Sequence, residues 1–267
     1  MDLSIIIVNY KSRDKLSNCL ASLEKAKNQE LSFEIIVVDN ASGDNLDDLR
    51  NQYSFRFIAS QKNLGMGGGN NLGINEAKSE IILILNPDTI VSAEALNIMF
   101  TRLKSDELIG LVGPKLLYPD GSLQYSCSRF PNFFIPILRR TFLGDRFKKQ
   151  RDSFMMFDFN HSSEREVDWM MGSCLMFKKS WPIPEGGNYE PHFDERYFMY
   201  FEDIDLCREV KRHGKKVVYL ASAIVIHDHN RASAKNPWYV ALFKDKITWI
   251  HIASWLKYFA KWGFSRN

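Results

Sequence analysis

The chain has 267 residues, of which 45% are apolar and 25% charged, and a formal net charge of +3. This balance suits one large folded α/β core and excludes a disordered or low-complexity chain. The small net charge gives no reason to expect nucleic acid as a partner, and no apolar run reaches the roughly 18 to 20 residues of a membrane-spanning helix.

In chain order, the first half alternates strand and helix. Leu3 to Val8 is a short apolar run of the kind buried on both faces of a sheet. Asp14 to Ala26 carries Leu16, Leu20 and Leu23 at helical spacing, Glu34 to Val38 reads as a second buried strand, and Phe55 to Ala59 as a third. A glycine-rich turn leads into a helix over 70–78, and Ile81 to Leu85 is a fourth strand. Strands alternating with helices of this length predict βαβ units, an α/β fold with a mostly parallel central sheet flanked by helices. Ligands of such sheets bind beyond the carboxyl ends of the strands, so residues that end strands become site candidates.

The second half is less regular. Leu111 to Leu117 and Trp169 to Phe177 read as strands, the latter running through Gly172 and Ser173. Asp203 to His213 reads as a helix and Val217 to Ile226 as a loop and strand. From Pro237 the chain is helical and crowded with aromatics: Trp238, Tyr239, Phe243, Trp249, Trp255, Tyr258, Phe259 and Trp262. No linker rich in Pro, Gly or Ser divides it.

Cys19, Cys127, Cys174 and Cys207 are widely spaced without a CxxC pair, as expected for reduced, mostly buried thiols of a cytosolic protein. The first residues run straight into a strand without a basic leader, in keeping with that compartment. Positive charge gathers in two stretches. Lys235, Lys244, Lys246, Lys257, Lys261 and Arg266 face a single acid, Asp245, and Arg139 to Arg151 holds six basic residues against Asp145. Beside aromatics such patches suit an acidic surface, and a membrane leaflet is one candidate. A C-terminal helix simply packed on the domain is an equally good reading.

Three strands stop at polar residues: Asn9-Tyr10, Asp39-Asn40 and Asn86-Pro87-Asp88. Each alone reads as a turn or cap, but their shared position at one sheet edge favours a site. Asp88 suits coordination of a hard divalent cation, Mg or Mn, and Asp39 suits hydrogen bonds to a base or ribose. Asn63 to Asn71 (NLGMGGGNN) imitates a dinucleotide fingerprint, but Asn70 stands where the third glycine belongs. It reads either as a tight turn or as backbone approaching a ligand closely, with amide contacts from Asn70 or Asn71.

The strongest local signal is Phe193 to Asp205, where Asp194, Glu195, Glu202, Asp203 and Asp205 sit among aromatics. Glu202 and Asp203 open a helix, where acids stabilise by up to about 1 kcal/mol. A carboxylate fixed at a helix start also suits a general base. His227 ends an apolar strand, and could complete a metal shell with Asp88.

Seven strings, in order, carry a resemblance: IIIVNY (5–10), VVDNASGD (37–44), NLGMGGGNN (63–71), LNPDT (85–89), VDWMMGSCLMF (167–177), FDERYFMYFEDIDLCREVKRHG (193–214) and IHDH (226–229). Together they resemble glycosyltransferases of family 2, within it the bacterial rhamnosyltransferase-like branch. The resemblance implies a GT-A fold: one catalytic domain over 1–235, with a nucleotide half (1–115) and an acceptor half (116–235), then a helical extension over 236–267. It implies transfer with inversion from a nucleotide-diphosphate sugar, helped by Mg or Mn. Asn9, Tyr10, Asp39, Asn63, Gly67, Asn70, Asn86 and Asp88 are then expected at the donor, with Asn86 replacing the first Asp of the family's DxD motif. Asp203 matches the base, Asp88 and His227 the metal ligands, and Trp169 and Glu202 the acceptor or sugar pocket. dTDP-rhamnose is the first donor to expect, with a UDP-hexose or UDP-N-acetylhexosamine open, and the acceptor is a saccharide or lipid-linked saccharide of cell-surface polysaccharide synthesis. Peripheral attachment to the cytoplasmic face of the membrane through the C-terminal segment would suit such an acceptor.

Readings from other classes fare less well. A nucleotidyltransferase would carry a glycine-rich loop after its first strand, where VNYKSRD has none. A dehydrogenase fails on the broken fingerprint, and a non-catalytic nucleotide-sugar binding module would not need Asp203 and His227.

Overall fold

Seven consecutive buried residues make β1 (Leu3–Asn9) a strand covered on both faces. The computed structural model describes residues 1–140, 143–184, 186–229 and 245–264. After β1 come α1 (Arg13–Ala26), β2 (Phe33–Asp39), α2 (Asp47–Gln52), β3 (Arg56–Ala59), α3 (Gly65–Glu76), β4 (Ile81–Leu85), β5 (Thr89–Ile90), α4 (Ala93–Ser105) and β6 (Ile109–Leu117). Strand side chains alternate between the two faces. Leu3, Ile5 and Ile7 pack with Leu16, Leu20 and Leu96, whereas Ile6 and Val8 pack on the face shared with Ile74, Phe193 and Tyr258.

The second half supplies β7 (Leu123–Gln124), β8 (Cys127–Ser128), α5 (Ile135–Arg140), α6 (Leu143–Arg146), α7 (Lys148–Phe154), β9 (Arg165–Val167), β10 (Trp169–Met170) and β11 (Cys174–Lys178). It ends with β12 (Trp181–Pro182), β13 (Asn188–Tyr189), α8 (Glu202–Arg212), β14 (Lys216–His227) and α9 (Lys246–Trp262). The main sheet runs β3-β2-β1-β4-β11-β6-β14-β5, with β7 on β6 and β9 on β14. Strands β1 to β4 are parallel, as is the β6–β14 pair, which matches the parallel pattern expected of the first half. β11 runs antiparallel between β4 and β6, because the chain enters it from the carboxyl edge of its neighbours.

That entry breaks the strand expected over 169–177. Trp169 and Met170 pair with β8 in a separate small sheet, and the main-sheet strand begins only at Cys174. The intervening turn at 171–173 lies at the carboxyl edge, beside the strand ends singled out above.

The helix expected from residue 70 begins at Gly65, so the glycines are part of it. A Cβ on Gly73 would stand 2.3 Å from Ile6 Cγ2, and one on Gly69 2.9 Å from Val8 Cγ1. The glycines let α3 lie flush on β1. Gly65 has φ +77°, and a Cβ there would strike the Phe198 carbonyl oxygen at 1.9 Å.

The C-terminal helix α9 buries Tyr258 and Phe259 in the core that α8 also lines. Residues 230–244 lie outside the described residues, and with them Trp238, Tyr239, Phe243, Lys235 and Lys244; Arg266 does too. Among the described residues no helix is long and apolar enough to cross a membrane. All four cysteines are buried and outside any disulfide.

Candidate active site

The register of β1 on β2 sets Asn9 opposite Asp39 at the carboxyl edge. Asn9 is fully buried, and its amide donates to Asp39 Oδ1 and Asp44 Oδ2, each at 3.0 Å. Ser42 Oγ also donates to Asp39 Oδ1 at 2.5 Å. Asn9 therefore works from below, fixing the Asp39–Asp44 turn. Tyr10 is exposed beside Lys11, whose Nζ lies 5.5 Å from the ring centroid. Asn40, which the site reading left out, donates to Asn63 Oδ1 at 3.1 Å and accepts from the Leu64 N–H at 2.9 Å, tying the 63–65 turn to the end of β2.

Asn70 is buried inside α3. The amide of Asn71 donates to the Phe193 carbonyl at 2.8 Å and accepts from the Phe193 N–H at 2.9 Å, which pins the acidic 193–205 segment onto α3. Gly67 continues this contact: a Cβ there would meet Phe193 Cβ at 3.1 Å and Glu202 Cβ at 3.8 Å.

The second cluster forms where β14 ends beside the turn after β4. His227 pairs in register with Thr89, one residue past Asp88. Its Nε2 lies 3.2 Å from Asp88 Oδ1, yet neither atom has an aligned hydrogen-bond partner. Nδ1 of the same ring is 2.6 Å from Gln124 Oε1, an oxygen that can only accept. That pairing puts a proton on Nδ1 and turns Nε2 toward Asp88. Ligand atoms of Asp88, His227 and His229 all lie within 4.8 Å of one another. Two buried orphan atoms, a carboxylate and imidazoles fit a divalent cation. Lys15 is nearby, its Nζ 3.6 Å from Asp88 Oδ2 and donating to the Asp228 carbonyl at 2.7 Å. Burial pushes the Asp88 carboxyl up, but a hydrogen bond and charge from the His227 ring in its protonated form, with the Lys15 charge, outweigh it and hold it below its ordinary value.

The third cluster is the Glu202–Asp203 pair at the start of α8. Tyr200 and Phe201 immediately before it have φ of 69° and 70°. Such left-handed conformations cost a residue with a side chain about 1–3 kcal/mol each, and they persist only where the surroundings impose them. Asp203 is held on both oxygens, by the Ile204 N–H at 2.8 Å and the Gly172 N–H at 2.9 Å. Burial pushes its carboxyl above the usual range, against the lowering pull of those N–H groups. Burial, and then the charge of Asp203, push Glu202 up as well.

The turn at 171–173 joins the second and third clusters. Gly172 holds Asp203, and the next residue, Ser173, accepts from the Asn86 N–H at 2.8 Å. Among the described residues, buried atoms without hydrogen-bond partners include Asp88 Oδ1, His227 Nε2, Gln124 Nε2, Ser173 Oγ and Glu202 Oε2. Such atoms are costly unless something supplies partners, as a ligand would. The Trp169 ring is fixed in place, its Nε1–H donating to the Arg129 carbonyl at 3.0 Å.

Sequence reasoning missed Lys15, Gln124 and Gly172 as parts of the site and marked Asn40 only as a strand end. Gly172 and Ser173 were visible as an interruption within a strand pattern. Gln124, in a two-residue strand, left no signal.

Residues 4–170 match the family described as Glycosyl transferase family 2. The chain is 27% identical over 272 residues to the N-acetylglucosaminyl-diphospho-decaprenol L-rhamnosyltransferase of Mycobacterium tuberculosis strain H37Rv, covering 94% of this chain and 84% of that one. It is 26% identical over 273 residues to the rhamnosyltransferase WbbL of Escherichia coli strain K12, covering 96% and 92%. Among solved structures, S. aureus TarS 1-349 superposes with a TM-score of 0.54 at 16% identity, over 85% of this chain and 60% of that one. GalNAc-T7 with UDP, GalNAc and Mn2+ gives 0.60 at 14% identity, over 85% and 44%. At such identities the likeness speaks for the fold, the GT-A fold of these transferases. The matched stretch holds the strand ends at Asn9, Asp39 and Asp88, while Asp203 and His227 lie beyond it. With well over half of its length matched, the chain belongs to glycosyl transferase family 2.

Proposed function

We propose that this chain is an inverting glycosyltransferase that moves L-rhamnose from dTDP-rhamnose to a hydroxyl of a lipid-linked saccharide, with Asp203 as the general base. The observation that carries the reading is the pairing of two separate devices one turn apart. A carboxylate rises in basicity through burial and is aimed by the Gly172 and Ile204 N–H groups, and a cation-ready Asp88–His227 pair adjoins it through Ser173 and Asn86. The names of two relatives, both rhamnosyltransferases and one acting on a decaprenol-linked acceptor, support the sugar and the acceptor class.

The step is a single displacement. Asp203 takes the proton of the acceptor hydroxyl as the acceptor oxygen forms a bond to the anomeric carbon, and the bond from that carbon to the diphosphate oxygen breaks with its electron pair leaving on the nucleotide. Asp39, held by Asn9 and Ser42, binds the base or ribose. Glu202 and Trp169 border the sugar or acceptor, and Tyr10, Asn63, Gly67, Asn70 and Asn86 border the donor. Asp88 and His227 would hold Mg or Mn, which supplies positive charge to the diphosphate as negative charge grows there.

The chain works on the cytoplasmic side, peripherally attached. In support, Trp249, Leu256 and Phe264 are exposed on or just past α9, with Lys246 at its start. Sedimentation with anionic vesicles at low salt tests this, and a chain that stays in the supernatant sinks it.

Thermal shifts with dTDP, UDP, GDP and NAD, each with and without Mn or Mg, test the donor. A metal-dependent rise with dTDP above that with UDP is expected, followed by transfer from dTDP-rhamnose. A larger response to UDP would move the reading to a UDP-sugar, and a response to NAD alone would end it.

A further inference from the structure

Helix α9 directs several polar groups onto the segment that carries the proposed base. Ser254 Oγ donates to the Met199 carbonyl at 2.9 Å and Lys257 Nζ to the Arg196 carbonyl at 2.7 Å. Lys261 Nζ lies 2.8 Å from Asp205 Oδ2, 2.9 Å from Glu209 Oε1 and 3.2 Å from Asp194 Oδ2. The Trp262 Nε1–H donates to Asp205 Oδ1 at 2.6 Å. Rings continue the contact: His251 lies 4.9 Å from Tyr200 and 5.4 Å from Phe201, and Tyr258 lies 5.2 Å from Phe201.

The target of Lys261 and Trp262 is telling. Asp205 is 1% exposed and sits two residues after Asp203 in the first turn of α8. Its two oxygens are taken by α9, with Tyr197 adding a third donor at 3.2 Å. Immediately before the same turn stand the two left-handed residues, Tyr200 and Phe201, whose backbone needs an external hold. Relaxation of that pair would swing Glu202 and Asp203 away from Gly172. The hold comes from a helix remote in sequence, and its cationic group is largely enclosed, with 17% of the Lys261 side chain exposed.

We propose that α9, through Lys261 and Trp262 gripping Asp205, is the positioning element that keeps Asp203 aimed at the acceptor. Neither residue touches a reacting atom; both act through the first turn of α8. The proposal rests on Asp203 being the base, so the experiment has one readout that does not depend on it.

The full chain and its Lys261→Met, Lys261→Arg and Trp262→Phe variants are compared for kcat, donor KM, melting temperature and amide hydrogen exchange over 194–205. Lys261→Met is expected to lower kcat about ten- to hundredfold, the scale of a misplaced catalytic group, with donor KM within about threefold. Exchange should rise about tenfold or more at 196–205 and little in β1 to β4. Lys261→Arg should restore most of kcat, and Trp262→Phe should fall between. Unchanged exchange at 196–205 in folded Lys261→Met would overturn the proposal. So would a loss of kcat matched by equal losses of donor affinity and of protection throughout the sheet, since that is general destabilisation. If the wild-type chain transferred no sugar from any donor, the functional reading would fail, and the exchange data would still decide whether α9 holds this segment.

Discussion

Gly172 holds Asp203 from the backbone: its N–H donates to Oδ2 at 2.9 Å, and a Cβ at Gly172 would lie 3.1 Å from the Asp203 Cβ. A methyl group there must push against the aspartate it is meant to orient. Gly172→Ala is therefore expected to lower kcat about ten- to hundredfold while leaving donor affinity nearly intact. Steady-state kinetics and donor thermal shifts check this, and an alanine variant with full turnover would mean that the contact does not aim the base.

Asp203→Asn keeps the shape but cannot take a proton. Loss of about 10²- to 10⁴-fold in kcat is expected, the range for removal of general-base catalysis, with donor binding retained. A fully active Asn variant would exclude Asp203 from the role.

The raised carboxyls of Glu202 and Asp203 set a pH dependence of definite sign. With Asp203 as the proposed base, transfer would need it ionised, so the rate should fall on the acid side at a pH above the ordinary carboxylate value of about 4. Since burial is the first cause of the Asp203 shift, that limb should survive in Glu202→Gln. Stability runs the other way. Between the ordinary and the raised values the folded chain holds protons that the unfolded chain has released, so stability declines as pH rises through that interval. Glu202→Gln should therefore melt higher than wild type above the interval and show no such gain below it. Equal melting differences at both pH values would refute the argument.

Asp88→Ala and His227→Ala should each abolish the Mn-dependent part of the thermal shift given by a nucleoside diphosphate. Gln124→Ala, which frees the ring of its Nδ1 partner, should weaken Mn binding about 10- to 100-fold, the usual effect of losing an outer partner of a metal-bound histidine. Calorimetric titration with Mn measures this, and an unchanged affinity would leave Gln124 with no part in the site.

Gly73→Ala pits two effects against each other. Alanine favours a helix by about 1 kcal/mol over glycine, but the new methyl would stand 2.3 Å from Cγ2 of Ile6, a β-branched side chain buried within β1. Overpacking of that kind costs about 1–3 kcal/mol, so the variant should be less stable, by up to about 2 kcal/mol in denaturant unfolding.

Much of the fold was legible because its first half obeys simple periods. Continuous apolar runs at Leu3, Glu34 and Ile81 marked fully covered strands, and their polar ends at Asn9, Asp39 and Asn86–Asp88 do share one edge. Where the sequence misled, tertiary contact overrode local pattern. Glycines that read as a loop serve as the smooth side of α3 against Ile6 and Val8. A strand that looked continuous over 169–177 bends at Gly172 to reach Asp203. Gln124 and Lys261 were hidden for a different reason: each acts on a residue about a hundred or some sixty positions away, and no local period records such a partner.

The seating of β11 between β4 and β6 has a bearing on how the chain can be cut. The first half of the chain needs residues 174–178 to cover the open edge of β4, while β5, from that same half, pairs with β14 at the far side of the sheet. The halves are interleaved as the fingers of two hands are. A fragment ending near residue 115 would carry a bare β4 edge, a template for pairing with other chains. It should aggregate alone and recover solubility only when co-expressed with the rest, so split-protein reporters built on this fold must be reassembled from both pieces before either is native.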